Sequence, residues 1–312
     1  MNIKMIIPMM MIAAMPMGAD AQNKSGLVMQ NLDKTVKPAD DFYQFATGGW
    51  QKNHPLPAAY SRFGSFDQLA EDNNKRINDI LAELQKKSYK KGTIEQKLSD
   101  FYKQALDMES RNKAGISPVK PLLDEMEAAK SKADLEKIQL KYAAQGYGVS
   151  FGGGFGADEK NVSMNIFQLS QGGLTLGQKD YYVNNDEATV AIREAFKKYI
   201  ADMFKLYGFS AEQAEEKAQA VFQHETMLAL ISKSATELRD PQANYNKMTL
   251  KEFQSSYPNL HLEEMCNAEG IKSEFIQDMI VGQPAFMEGL DKITAAESAA
   301  TLKALMEWDV IT

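Results

Sequence analysis

The sequence predicts a mainly α fold: a multi-helix lobe with a small β-hairpin element. Three observations carry that prediction. Apolar residues recur at i, i+3, i+4 and i+7 through most of the 312-residue chain, the spacing that gives a helix one buried face. Most of those runs follow a Ser or Thr with Gln, Glu or Asp three positions on, a pairing that satisfies the free amides at a helix start. One stretch, from Gly146, breaks the pattern: it is glycine-rich and then alternates with period two, as a half-buried strand does.

The N-terminus comes first. Lys4 precedes an apolar run from Met5 to Met17, and Ala19-Asp20-Ala21 places small residues where a signal peptidase reads them. Residues 1–21 therefore read as a secretory signal peptide, with Gln22 as the new N-terminus. The run is too short to cross a bilayer and contains Pro8 and Pro16. No cysteine near its end suggests a lipid anchor, and no membrane span is expected after signal removal. Residues 22–37 are polar and aperiodic and read as a flexible leader, with structure starting at Pro38.

Helices follow. Ser65 and Gln68 stand as a capping box before Leu69, Ile77, Ile80 and Leu84. Thr93 and Gln96 do the same before Leu98, Phe101 and Tyr102. Ser117 with Pro118 reads as an N-cap and first-turn proline ahead of Leu122, Leu123 and Met126. Ser131 and Asp134 introduce Leu135, Ile138 and Tyr142. Next comes a β-hairpin with its turn at Asp158 to Asn161, Val162, Met164 and Ile166 on one face. "QGGLTLGQKDYYV" is an irregular connection. Phe196, Tyr199, Ile200 and Met203 mark a helix ending near Gly208, and Ser210 with Gln213 opens another through Val221, Glu225 and Leu228. Thr249 with Glu252 starts a short helix, and Thr294 with Glu297 starts the last.

Composition narrows the function. Hydrophobic residues make up 44% and charged residues 25%, enough for a packed core. The net charge of −7, with interspersed lysines and arginines, argues against nucleic-acid binding. Cys266 is the single cysteine, so no intramolecular disulfide forms, and no histidine lies near it to make a thiolate nucleophile.

The motif that asks most is His224-Glu225-Thr226-Met227-Leu228. It begins like the H-E-x-x-H of zinc proteases, whose two histidines, one turn apart, must reach one ion. Leu228 replaces the second histidine, and only His54 and His261 remain. No metal ligands are assigned in this chain. Glu225 then falls on an apolar stripe, where a carboxylate needs donors; an arginine, with Arg239 as candidate, or backbone amides would supply them. Gly152-Gly153-Gly154-Phe155-Gly156-Ala157 matches a dinucleotide fingerprint but leads into a strand rather than the helix that motif requires. "DDFYQFATGGWQKNHPLP" reads as a buried aromatic knot, with Asp40 or Asp41 capping a helix from Phe42 and Gly48-Gly49 permitting a sharp turn. The pairs Asp40-Asp41 and Glu263-Glu264 read as solvated or helix-starting acids. Arg62 precedes a helix start, where its forked guanidinium suits a peptide carboxylate or carbonyl.

Five motifs occur in register: "PADDFYQFATGGWQKNHPLP", "SRFGSFDQL", "GGLTLGQKDYY", "HETMLA" and "RDPQANYNKMTLKEF". Together, from about Pro38 to the last residue, they resemble the N-terminal half of the neprilysin and endothelin-converting-enzyme family of zinc metallopeptidases, including its bacterial secreted, endopeptidase O-like members. The resemblance implies a helical lobe roofing a closed chamber that admits peptides. It implies that H-E-x-x-H and the zinc belong to a C-terminal half outside these residues, and that HETML is a structural helix. It assigns Arg62 to the substrate's C-terminal side. Some animal members carry a second arginine eight residues on, where this chain has Ala70, and the family's common asparagine before G-x-W is Thr47. The expected protein is thus the non-zinc lobe of a periplasmic or secreted metalloendopeptidase. It would be inactive alone, with peptides and a C-terminal zinc domain as partners. The alternatives are a free-standing extracytoplasmic peptide-binding or inhibitory module and an unrelated helical envelope protein.

Overall fold

A computed structural model describes residues 27–60, 62–143, 145–147 and 150–312. The signal-peptide residues lie outside that set. Two compact units divide the chain, residues 1–107 and 108–312; α-helices dominate both.

In the first unit, Asp41 accepts the Gln44 N–H at 2.9 Å and caps α1 (Phe42–Asn53). Gly48 and Gly49 lie inside α1 rather than at the expected sharp turn. A 3-10 turn at Met29–Asn31 runs against them: a Cβ on Gly49 would stand 2.3 Å from the Gln30 carbonyl oxygen. The Asp33 N–H donates to the Phe45 carbonyl at 2.8 Å, and its carboxylate accepts the Gln44 side-chain amide at 3.1 Å. Ordered structure therefore begins ahead of Pro38, because the glycines open a place for it. The aromatic knot is partial. Trp50 stacks on His54 at 4.5 Å, yet Phe42 and Tyr43 are each 69% exposed.

The next helix, α2 (Ser65–Leu84), starts one residue earlier than its predicted box. Gly64 is the cap, and its N–H is taken by the Asp67 carboxylate at 2.8 Å. Asp67 sits three residues past Gly64, so it reaches back where Gln68 would overshoot. Thr93 caps α3 (Ile94–Leu106) as predicted. The two helices pack together, tied by the Gln85 amide donating to the Ser99 carbonyl at 2.8 Å.

The second unit opens with α4 (Met108–Ala114) and α5 (Lys120–Ala128). Ser117 does not cap α5; its hydroxyl donates back to the Ala114 carbonyl at 2.7 Å, and Pro121 takes the first-turn position. Ser131 caps α6 (Lys132–Ala143), accepting the Asp134 N–H at 3.2 Å. The hairpin is present as β1 (Phe151–Asp158) and β2 (Asn161–Gln171). Its predicted two-face alternation fails. Val162 and Met164 are exposed, while Ile166, Phe167 and Leu169 are all buried. The inner half of β2 is a central strand: the sheet order is β1-β2-β4-β3, with β4 (Asp278–Val281) parallel to β2 and β3 (Lys247–Thr249) antiparallel to β4. A central strand covered on both sides shows no clean alternation.

After the connection come α7 (Asp180–Val183), α8 (Glu187–Leu206) and α9 (Ala211–Ile231). Both halves of the Ser210–Gln213 capping box are formed, at 3.2 and 3.0 Å. The pattern recurs at Thr249 and Glu252 for α10 (Leu250–Ser256), followed by α11 (Leu262–Ala268). The predicted last start is displaced. Thr294 belongs to α12 (Pro284–Ala296), Glu297 is its C-cap, and Ser298 caps α13 (Ala299–Ile311) by accepting the Thr301 N–H at 3.0 Å. Glu297 is already extended there, so Ser298 holds the geometry a cap needs.

Three clusters form the core of this unit. The sheet packs on α10 to α12 through Phe167, Leu169, Phe253 and Met279. A second joins α8, α9 and α13 through Phe196, Phe204, Val221 and Trp308. A third joins α5, α6 and α13 through Met126, Leu135, Tyr142 and Met306. Thus α9 serves the first two clusters and α13 the last two.

The irregular connection threads between these layers at Gly173. Its φ is +78°, and an added Cβ would lie 2.8 Å from Leu228 Cδ1 and 3.1 Å from Ser150 Cα. Gly177 has φ +81° but open space around it. Gly173→Ala therefore combines left-handed strain with a clash and should cost about 2–4 kcal/mol, against about 1 kcal/mol for Gly177→Ala. Urea unfolding of the two variants checks the difference; equal losses would contradict it.

Candidate functional site

The HETML segment stands on α9 at the wall of a cavity of about 550 Å³ inside the second unit. The cavity is bounded by α6, the connection at Gly173 to Thr175, α12 and α13. Its surface is mostly apolar, with Leu174, Leu260, Leu290, Leu305 and Trp308 among the lining residues. Polar groups converge on it from α9 and the α12 end: His224, Glu225 and Glu297.

Each of those groups is held. Glu225 is buried. Its carboxylate accepts the Thr175 backbone N–H at 3.2 Å, the Thr175 hydroxyl at 2.7 Å and the Tyr182 hydroxyl. Burial raises its pKa, and the donors from Tyr182 and Thr175 work against that rise. The Tyr182 hydroxyl is pushed up by burial and then by the Glu225 charge, and it also accepts the Leu176 N–H at 3.0 Å. The expectation of a donor set for Glu225 is met by a backbone amide and two hydroxyls. Arg239 is not among them; it sits exposed at the end of a 3-10 turn. Hydroxyls a few residues apart on the connection reach the carboxylate without bringing a second charge into the core.

His224 pairs through Nδ1 with Glu297, and both side chains are more than nine-tenths buried. Leu228, where a second zinc histidine would stand, is fully buried and packs in the sheet cluster. Of the other histidines, His261 also lines the cavity and His54 belongs to the first unit. His54 Nδ1 lies 2.9 Å from the Trp50 carbonyl. His261 is exposed in a left-handed conformation ahead of α11, with Glu264 at 4.0 Å. Among the described residues, no three His, Cys, Asp or Glu side chains gather in a metal-binding group.

Arg62 is exposed in the extended segment leading to α2, in the first unit. Cys266 is buried, and burial pushes its thiol up to about 11, the opposite of an activated nucleophile. Glu263 and Glu264 fall in the first turn of α11, as helix-starting acids. The partners Thr175, Tyr182 and Glu297 were not singled out from sequence. Thr175 and Tyr182 lie in an aperiodic stretch, and Glu297 was read as a helix start.

Comparison with known proteins identifies the family of the chain. The sequence profile of Peptidase family M13, N-terminal domain, matches residues 38–312. Neprilysin-3 of Drosophila melanogaster is 27% identical over 306 residues, covering 92% of this chain and 39% of its own length. Human endothelin-converting enzyme 1 is 25% identical over 293 residues, covering 91% and 38%. The chain thus spans about two-fifths of the length of these relatives. Among solved structures, the zinc metalloprotease Zmp1 of Mycobacterium tuberculosis in complex with an inhibitor superposes with a TM-score of 0.81 at 24% identity, over 91% of this chain and 43% of that one. PepO from Lactobacillus rhamnosis HN001 gives 0.69 at 20% identity, over 88% and 43%. These likenesses establish a shared fold.

Glu225 is the structural centre of the cavity wall. Glu225→Gln keeps the shape but gives an amide donor to a site built of donors, and should lose about 1–3 kcal/mol of stability. Tyr182→Phe removes one of three donors to Glu225 and the acceptor of the Leu176 N–H, but brings no donor into the carboxylate's place, and should cost less. Denaturant unfolding of both checks the order; a neutral Glu225→Gln would contradict the structural role.

Proposed function

Since the chain belongs to peptidase family M13, we propose that it is the helical, non-zinc lobe of a secreted metalloendopeptidase. The observation that carries this is the pairing of a match across residues 38–312 with a HETML helix whose fifth position, where a second zinc histidine would stand, is core leucine. On this reading the family's zinc chemistry lies outside these residues; the matched part covers about two-fifths of the relatives' length. Bound there, zinc supplies a polarised water for peptide hydrolysis.

This chain's part is to bind and enclose. The lobe roofs a chamber that excludes folded proteins. Arg62 offers a planar pair of donors to the carboxylate or carbonyl on the substrate's C-terminal side. Its exposure just ahead of α2 leaves the guanidinium available for that contact. The signal pattern of residues 1–21 supports export to a periplasm or beyond. No helix of the described residues is long and apolar enough to cross a membrane.

Two assays test the reading. The 312-residue chain, supplied with zinc and a quenched fluorescent peptide, should show no turnover; chelator-sensitive cleavage by this chain alone would overturn it. In a polypeptide carrying both halves, Arg62→Ala should raise KM about tenfold with kcat nearly unchanged, and Arg62→Lys should recover part of the loss. An unchanged KM would remove Arg62 from the substrate site.

A further inference from the structure

Glu307 sits in the middle of α13 with 0% of its surface exposed. One oxygen, Oε2, accepts from the ammonium of Lys217 on α9, a side chain only 15% exposed. The other, Oε1, is buried with no hydrogen-bond donor. An ionised carboxylate with an empty buried oxygen is costly, and Lys217 alone does not satisfy it.

A second carboxyl stands beside it. Glu127, in the last turn of α5, lies within hydrogen-bonding reach of Glu307. Lys303 of α13 approaches Glu127 at 3.4 Å, and Lys217 approaches it at 3.9 Å. Two ionised carboxylates cannot hydrogen-bond to one another. Contact between them requires a proton, which also gives the buried pair the donor it lacks. We propose that Glu307 and Glu127 share one proton, and that this proton latches α13 onto α5 so that the latch loosens as the pH rises past neutrality.

The electrostatics give the direction. Burial, opposed by Lys217 and reinforced by Glu127, lifts Glu307 from 4.5 to about 7. On Glu127 burial also pushes upward, but the hydrogen bond from Glu307 and the two lysine charges outweigh it and leave its pKa lowered. The proton therefore resides on Glu307, and Glu127 stays ionised. Beyond burial, the largest influences on Glu307 come from Lys217 of α9 and Glu127 of α5; α6 and α8 also pack on α13. A folded-state pKa raised in this way contributes stability that is fully present below about 4.5 and is lost as the pH climbs through about 7. The helix so controlled bears Leu302, Leu305, Met306 and Trp308 on the cavity wall, so its seating sets the cavity's shape. The latch stands on its own geometry, whatever the chain's role in peptide cleavage.

Trp308, next to Glu307, reports on α13 directly, and Trp50→Phe leaves it as the sole tryptophan of the two. In that background, urea unfolding followed by Trp308 fluorescence should show the folding equilibrium constant falling about 30-fold from pH 5.5 to 8.5. Glu307→Gln, a neutral amide in the proton's place, should flatten that dependence. Glu127→Gln, at a half-exposed position that tolerates change, should shrink the slope and move its midpoint below pH 7. A flat parent profile, or a Glu127→Gln slope equal to the parent's, would overturn the shared proton even if Glu307→Gln failed to fold.

Discussion

Two helices of the second unit are buried on more than one face, and each carries a carboxyl group into the interior. On α9 it is Glu225; on α13 it is Glu307. A charge taken from water must find donors or give up its charge, and the surrounding architecture follows from how each is answered. Glu225 keeps three donors, two of them from Thr175, so the irregular connection after the hairpin is fixed against α9. Glu307 has one lysine and a neighbouring carboxyl, so its answer includes a proton. The sheet cluster and both helical clusters meet at these two helices. Their polar contacts therefore fix how the layers register, while apolar burial supplies the drive to bring them together.

The same logic explains why HETML resembles a zinc site without being one. A metal helix presents two imidazoles on one face toward a site where water can be bound. Here the corresponding face presents a histidine paired with Glu297 and a leucine that fills the sheet cluster. Glu225, the position of a catalytic base in the zinc motif, is occupied by hydroxyl and amide donors. Three donors from the protein hold its oxygens in place of a metal-bound water. The segment thus spends its polar groups on structure, and the cavity beside it keeps apolar walls.

Much of this was legible in the sequence where the signal is local. Capping pairs such as Ser210–Gln213 and Thr249–Glu252 were readable because both partners lie within four residues, and the hairpin turn because its residues have few other conformations. The failures share a different cause. Strands β3 and β4 are three and four residues long and acquire their role from β2, more than a hundred residues away in sequence for β4; no short window contains that information. The Thr294–Glu297 spacing predicts a helix start, but it closes α12 instead, one residue ahead of the Ser298 cap of α13. The N-terminal glycines were read as a turn because sequence does not reveal that a second segment, Met29–Asn31, uses the space they leave. Glu225 was recognised as a buried acid from periodicity alone, whereas its donors were not, since Thr175 and Tyr182 lie in a stretch with no periodicity to read.

The contrast between the two buried carboxyls also bears on what the lobe can do when conditions change. Burial raises both, but the donors differ in kind. Hydroxyl and amide donors favour the ionised form of Glu225 and oppose the rise that burial causes. At Glu307 the neighbour is another acid, and acids in contact compete for the same proton. One joint therefore rests on donors that do not titrate and the other on a second acid, and both lie on helices that line the cavity. Under the proposed shared proton, a change of pH reaches the cavity through the α13 residues that line it.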